Sequence, residues 1–243
     1  MSKLRHVPVA ETTSQDIAPL GGIDVHFHDQ HQIIYASRGV LAVTTDSGRW
    51  ISPAHQAIWV PAGTVHGHRA YGATRLHTVG MPPGDNPLEL TEPAILAVGP
   101  LLRELIIAYT DSRRPPAERA AMHGVLLDQL SRAATRPGRL PTPRDERLAA
   151  LGSILDSHPA DSRNLSELGR LIGASPRTLS RLFRVETGMT FPQWRTQLRL
   201  QHALRLLAEG ESVSRVAAAC GWSSASAFIE TFRRSFGHTP GRR

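Results

Sequence analysis

Residues 164–188 read NLSELGRLIGASPRTLSRLFRVETG, two short helical periods separated by Gly173. Asn164 precedes the first period with Glu167 three positions later, the arrangement of a capping box. Ser175 stands before Pro176, a side-chain cap followed by the residue best suited to a first helical turn, and Gly188 is placed to end the second helix. On a helix starting at Pro176, Leu179, Leu182 and Phe183 fall together at i, i+3 and i+4, while Arg177, Ser180, Arg181 and Arg184 fall on the opposite side. One face anchors the helix in a core; the other presents three guanidiniums and a hydroxyl. In isolation such a face would read as solvated surface. Here it follows a helix and a tight turn, the helix-turn-helix pattern, in which the first turns of the second helix meet base edges in the DNA major groove.

The unit occurs twice. Leu165, Leu168 and Gly173 have counterparts 48 positions on in Val213, Val216 and Gly221, and Leu179, Phe183 and Gly188 have theirs 49 on in Phe228, Phe232 and Gly237. The copies are expected at about 164–188 and 212–237. Between them FPQWRTQLRLQHALRLLAEG, 191–210, forms one helical pattern with Leu198, Ala203, Leu206 and Leu207 on its apolar side. About 19 residues make a rod of roughly 28 Å. Two reading helices enter successive major grooves on one DNA face when they stand about 34 Å apart, so a stiff spacer of this order suits a bipartite reader.

Charge follows the same division. Residues 1–143 carry 13 Lys+Arg against 12 Asp+Glu, a net +1, and residues 144–243 carry 15 against 9, a net +6, within a chain total of +7. Every positive charge of the second part is arginine, the side chain suited to bidentate contact with phosphate or guanine. A single cysteine, Cys220, excludes an internal disulfide and a cysteine-rich zinc cluster, as expected in a reducing compartment. No apolar run approaches the roughly 18 residues of a membrane helix, and MSKLRHVPVAETTSQD lacks the apolar core of a signal peptide. The expectation is a cytosolic protein with no membrane partner.

Residues 23–81 read as short strands, HQIIYASRG, VLAVTT, RWI, AIWVP, VHGHRA and TRLHTVGM, with a hairpin turn at Asp46–Gly48, the pattern of a β-sandwich or barrel. Trp50 and Trp59 are expected in its core. Residues 94–110 and 117–134 carry apolar residues at helical spacing, and Leu101, Leu102, Leu105 and Ile106 beside Leu126, Leu127 and Leu130 are expected to cover the open side of the barrel. RPGRLPTPRD, 136–145, with three prolines and a glycine, marks a boundary. Nine of the 12 histidines precede residue 144, and His26, His28 and His31, then His66 and His68, are clustered. Neutral imidazoles are good ligands for Zn, Ni, Cu or Fe. Strand alternation puts His26 and His28 on one face, and a later strand can bring His66 beside them.

The C-terminal strings NLSELGRLIGASPRTLSRLFRVETGMTF, RLQHALRLLAEG and VSRVAAACGWSSASAFIETFRRSFGHTP resemble the DNA-binding domain of the AraC/XylS family of transcriptional regulators over about 145–243. The resemblance implies base contacts from Arg177, Ser180 and Arg181, with Arg184 alongside. In the second helix the reading positions would be Ala225, Ser226, Ile229 and Glu230; Glu230 stands where many relatives carry arginine, so this helix is expected to contribute mainly backbone contact through Ser224, Arg233 and Arg234. His26-x-His28 followed by Pro61-x-Gly63-x-x-His66 resembles the two cupin motifs, although Gln30 and Gln32 occupy the region where metal cupins place a glutamate. The implied fold class is α+β in two domains: a cupin-like β-barrel followed by helices at 1–135, a linker at 136–144, and an all-α domain of two helix-turn-helix units joined by a linker helix at 145–243. The implied partners are double-stranded DNA, a small-molecule or metal effector, a second copy in a homodimer, and RNA polymerase if the protein activates. His26, His28, Gln32 and His66 are the candidates for holding the effector or a divalent transition metal. The alternative is a cupin metalloenzyme carrying a nucleic-acid-binding appendage.

Overall fold

Two long bent strands organise the N-terminal part. The computed structural model describes residues 4–136 and 138–240; residues 1–3, 137 and 241–243 of the expected domains and linker lie outside the described residues. The strands are β1 (Arg5–His6), β2 (Thr13–Ile17), β3 (Gly22–Phe27), β4 (His31–Thr45), β5 (Gly48–Pro53), β6 (Gln56–Val60), β7 (His66–Met81) and β8 (Ala94–Ala97). Helices α1 (Pro100–Tyr109) and α2 (Pro116–Ser131) follow, then β9 (Thr135–Arg136) and β10 (Arg139–Pro141). The sheet order runs β1-β3-β7-β4-β6-β8-β9, with β2 also on β7 and β5 also on β4. Strand β4 pairs with β7 along nearly its whole length, while its other edge pairs with β6 through Gln32–Tyr35 and with β5 through Val40–Thr45.

The sequence suggests four short strands where the structure has two long ones. The apparent breaks are irregularities: the β4/β7 register shifts between Ala36 and Val40, beside Gly39 at φ 82° and Gly72 at φ 68°. A Cβ on Gly39 would stand 2.4 Å from Thr74 Oγ1, so only glycine lets the strands stay paired through the bend. Alternation along these strands feeds two cores. Ile33, Tyr35, Trp59, Val79 and Met81 face α1 and α2 and pack with Leu102, Ile106, Leu126 and Leu130. Ile34, Ala36, Leu41, Val43, Trp50, Ile58, Val60, Ala70 and Leu76 fill the interior of the folded sheet. Trp50 and Trp59 are fully buried, as expected, but Leu101 points outward and is 59% exposed.

Two expectations change. Residues 94–97 are strand rather than helix: AILA is too short for periodicity to distinguish the two, and the helix starts only at Pro100. The stretch 136–144 is also not plain linker. β9 pairs with β8, and the chain divides into two compact units between Arg139 and Leu140.

The second unit is helical: α3 (Glu146–Ser157), α4 (Leu165–Leu171), α5 (Pro176–Leu182), a π-helical turn (Phe183–Thr187), α6 (Phe191–Ala208), α7 (Val213–Ala219) and α8 (Ala225–Phe236). Leu140, Leu148, Leu151, Leu155, Leu168, Leu179, Phe183, Trp194 and Leu198 form the core around the first helix-turn-helix. Val216, Ala217, Phe228 and Phe232 are buried in the second. The expected caps are present: Asn164 and Glu167 close a capping box, the Ser175 hydroxyl accepts from Thr178 N–H, and Gly188 and Gly237 end their helices in the left-handed region. Helix α6 spans 18 residues, a rod of about 27 Å. Leu198 and Ala203 are buried on it as anticipated, whereas Leu206 and Leu207 are only partly covered.

Candidate DNA-reading surface and barrel histidine pocket

Helix α5 separates its two faces as its spacing requires. Leu179 and Leu182 are buried, while Arg177, Ser180 and Arg181 are exposed. Arg184 is also exposed but sits in the π-helical turn, where Thr187 Oγ1 donates to Phe183 O at 2.6 Å, so it does not continue the α-helical register of the other three. The three guanidiniums of this segment have no hydrogen-bond or ion-pair partner among the described residues. Several other arginines of the unit are engaged. Arg147 pairs with Asp145 and Arg163 with Asp161, while Arg199 donates to Pro159 O at 3.0 Å and Asp161 O at 2.9 Å. Arg195 lies over the Phe191 ring at 4.2 Å and donates to Arg163 O. Arg177 and Arg181, the cations left without acceptors on α5, are among those that the helical spacing predicts should face DNA.

On the second copy, Ser224 caps α8 by accepting from Ala227 N–H at 3.1 Å, and its hydroxyl hydrogen remains available to a phosphate. Ser226 and Arg233 are exposed. Arg234 stands 3.9 Å from Glu230, with both side chains more than 70% exposed, too weak a pair to hold either one.

In the first unit, pairing of β3 with β7 places His26 opposite His66 and Ile23 opposite His68. His26 Nδ1 donates to Asp24 O at 2.7 Å, His28 Nδ1 to Val7 O at 2.7 Å and His66 Nδ1 to Thr64 O at 2.8 Å. A carbonyl only accepts, so each ring carries its hydrogen on Nδ1 and turns Nε2 inward. His26 Nε2 and His28 Nε2 lie 3.1 Å apart. His66 Nε2 lies 3.2 Å from Gln32 Oε1, so with its Nδ1–H given to Thr64 O this ring faces a second acceptor. His68 is buried, with neither ring nitrogen bonded among the described residues. Leaving a buried polar atom unmatched costs about 1–3 kcal/mol. Burial holds the His28 imidazole below its ordinary value, takes His66 to about 4 and drives His68 well down, so these three are neutral near pH 7.

The pocket above them has a volume of about 160 Å³. His26, His28, Gln32, His68 and Thr78 line it, with Arg5 and Glu11 from the N-terminal segment among its other walls. It has room for a small molecule or a hydrated ion.

A family model described as a helix-turn-helix domain matches residues 168–242, and one described as a cupin domain matches residues 13–80. The HTH-type transcriptional regulator NimR of Escherichia coli (strain K12) is 32% identical over 222 residues, covering 90% of this chain and 81% of that protein. The chain belongs to the AraC/XylS family of transcriptional regulators. The HTH-type transcriptional regulator RipA of Corynebacterium glutamicum is 42% identical over 101 residues, 42% of this chain and 30% of that protein. A crystal structure of an AraC-type regulator from Chromobacterium violaceum matches at 29% identity and TM-score 0.38, covering 39% of this chain and 86% of that one.

Within this regulator the structure brings His26, His28, Gln32 and His66 together, as the motifs imply. It removes His31 from the group: that ring stacks on Trp59 at 4.8 Å, accepts from Ala62 N–H and reaches Pro83 O. It adds His68. The signal was present in the sequence, since His66-x-His68 repeats on β7 the alternation that singles out His26-x-His28.

Proposed function

We propose that this regulator reads a two-part DNA site with α5 and α8, and that a small molecule or metal ion held in the cupin pocket sets its affinity for that site. The observation that carries the DNA reading is the face of α5, where Arg177 and Arg181 stand exposed and unpaired with Ser180 between them above a buried apolar side, and Arg184 stands exposed and unpaired in the turn that follows. Arg177, Ser180 and Arg181 make the base contacts. Arg184 and the second-copy residues Ser224, Ser226, Arg233 and Arg234 grip the adjacent backbone. The pocket histidines and Gln32 hold the effector.

The protein works in the cytosol as a homodimer and engages RNA polymerase if it activates. The exposed Leu101 on α1 and Val125 on α2 support pairing through those helices. The barrel senses rather than catalyses, a reading supported by relatives named as regulators.

Selection of bound sequences from random duplexes with the full chain tests this. One preferred site should emerge, and Arg181→Ala should weaken it by about 1–3 kcal/mol while relaxing preference at one position. Unchanged affinity and preference in Arg181→Ala would remove α5 as the reading head.

A further inference from the structure

We propose that His26, His66 and His68 bind one divalent transition-metal ion at the floor of the barrel pocket, with His28 closing its open side, so that a fourth imidazole replaces the carboxylate of metal-binding cupins. The structure gathers ligand nitrogens of His26, His66 and His68 within 4.8 Å of one another, all three residues being buried.

Three observations point to a cation. The His26 and His28 Nε2 atoms face each other at 3.1 Å, although both rings have committed Nδ1–H to backbone carbonyls. Two neutral rings so fixed would oppose lone pair to lone pair. A shared proton relieves that one contact but does nothing for His68, whose two nitrogens are unmatched. The separations also suit a metal: with about 2.0–2.1 Å from metal to each nitrogen, tetrahedral imidazoles place their ring centres roughly 5 Å apart. The observed distances are 4.5 Å for His26–His66, 5.1 Å for His66–His68, 5.7 Å for His26–His68 and 4.7 Å for His26–His28. Finally, the Nδ1–H bonds to Asp24 O, Val7 O and Thr64 O are the outer contacts that orient metal-binding histidines and fix their tautomer.

Neutral nitrogen donors suit Zn²⁺, Ni²⁺ or Cu²⁺ rather than the oxygen-seeking Mg²⁺ or Ca²⁺. The site does not depend on the regulatory reading. It stands or falls on metal binding alone, while operator selection tests the other.

The experiment loads the chelator-stripped full chain with ZnCl₂ or CoCl₂, with MgCl₂ as control, and measures bound metal after dialysis and the visible spectrum of the Co²⁺ form. The expected result is one Zn²⁺ per chain, no retained Mg²⁺, and intense Co²⁺ bands of four-coordinate type. His68→Ala should lower Zn²⁺ affinity at least about tenfold and weaken the Co²⁺ bands, and His68→Gln should do the same if the alanine variant folds poorly. His31→Ala, which removes a ring that packs on Trp59 outside the cluster, should by contrast retain the metal. Zn²⁺ retained at full affinity by folded His68→Ala or His68→Gln, or a wild-type chain that retains none, would overturn the assignment.

Discussion

His77 lies in a chain of polar atoms inside the first unit. Thr110 Oγ1 donates to Ile106 O at 2.9 Å, so it accepts His77 Nδ1–H at 2.7 Å, and His77 Nε2 then accepts from Ser37 Oγ at 2.8 Å. Every atom is matched with the imidazole neutral, and burial, aided by Arg75 and Arg103, takes it down to about 4. The unfolded chain titrates near 6.5. Between those values the unfolded state binds a proton that the folded state refuses. The stability of this unit therefore falls as pH drops from about 6.5 to about 4 and levels off below, by about 2–3 kcal/mol for this residue. Unfolding midpoints in urea at pH 7 and pH 5, with chelator present, measure it. His77→Asn should be less stable at pH 7 and show a smaller loss on acidification, and equal losses in the two proteins would mean that other groups set the slope. Nothing local in the sequence marks this histidine as a packed polar group, because its partners Ser37 and Thr110 are 40 and 33 residues away and pairing of that range carries no local pattern.

Local signals found the elements that local interactions build. The capping box at Asn164, the Ser175–Pro176 start and the glycine stops all lie within a few residues of the atoms they serve, which is why α4, α5 and both helix-turn-helix copies were legible. Strand ends were less so: nothing local distinguishes the bend at Gly39 from a true break, and β8 reads as helix until its pairing with β6 is known. The repeat itself hides a difference. Gly173 and Gly221 occupy equivalent turns at φ 67° and 75°, yet a Cβ on Gly173 would meet nothing within 4 Å, whereas one on Gly221 would stand 2.7 Å from Arg199 Nη2 and 2.8 Å from Ala160 Cα. Gly173→Ala should thus cost about 1–2 kcal/mol, the strain of a left-handed alanine. Gly221→Ala should cost more, since it also displaces the guanidinium that holds Pro159 O and Asp161 O. Denaturation of the two variants followed by circular dichroism gives the order, and equal losses would show that the loop before α4 yields without cost.

At the scale of the whole chain, the division of charge into +1 and +6 assigns the attraction for a polyanion to the helical unit, and how that attraction is shared between its two copies is set by Glu230. The first copy presents unopposed arginines. The second places a carboxylate, 3.9 Å from Arg234, among the positions that face DNA when α8 reads as α5 does. Each phosphate neutralised by arginine releases condensed counterions, so the slope of log affinity against log salt counts the contacts made. Glu230→Gln removes a carboxylate that repels phosphate. Binding of the full chain to its selected duplex should therefore tighten, and the slope should steepen by about one, with gains on random duplex of similar size. Fluorescence anisotropy across a series of salt concentrations reads both quantities. A variant that instead lost affinity at one base position alone would make Glu230 a base reader, accepting a hydrogen bond from cytosine N4, and the second helix would then contribute to sequence choice rather than to grip.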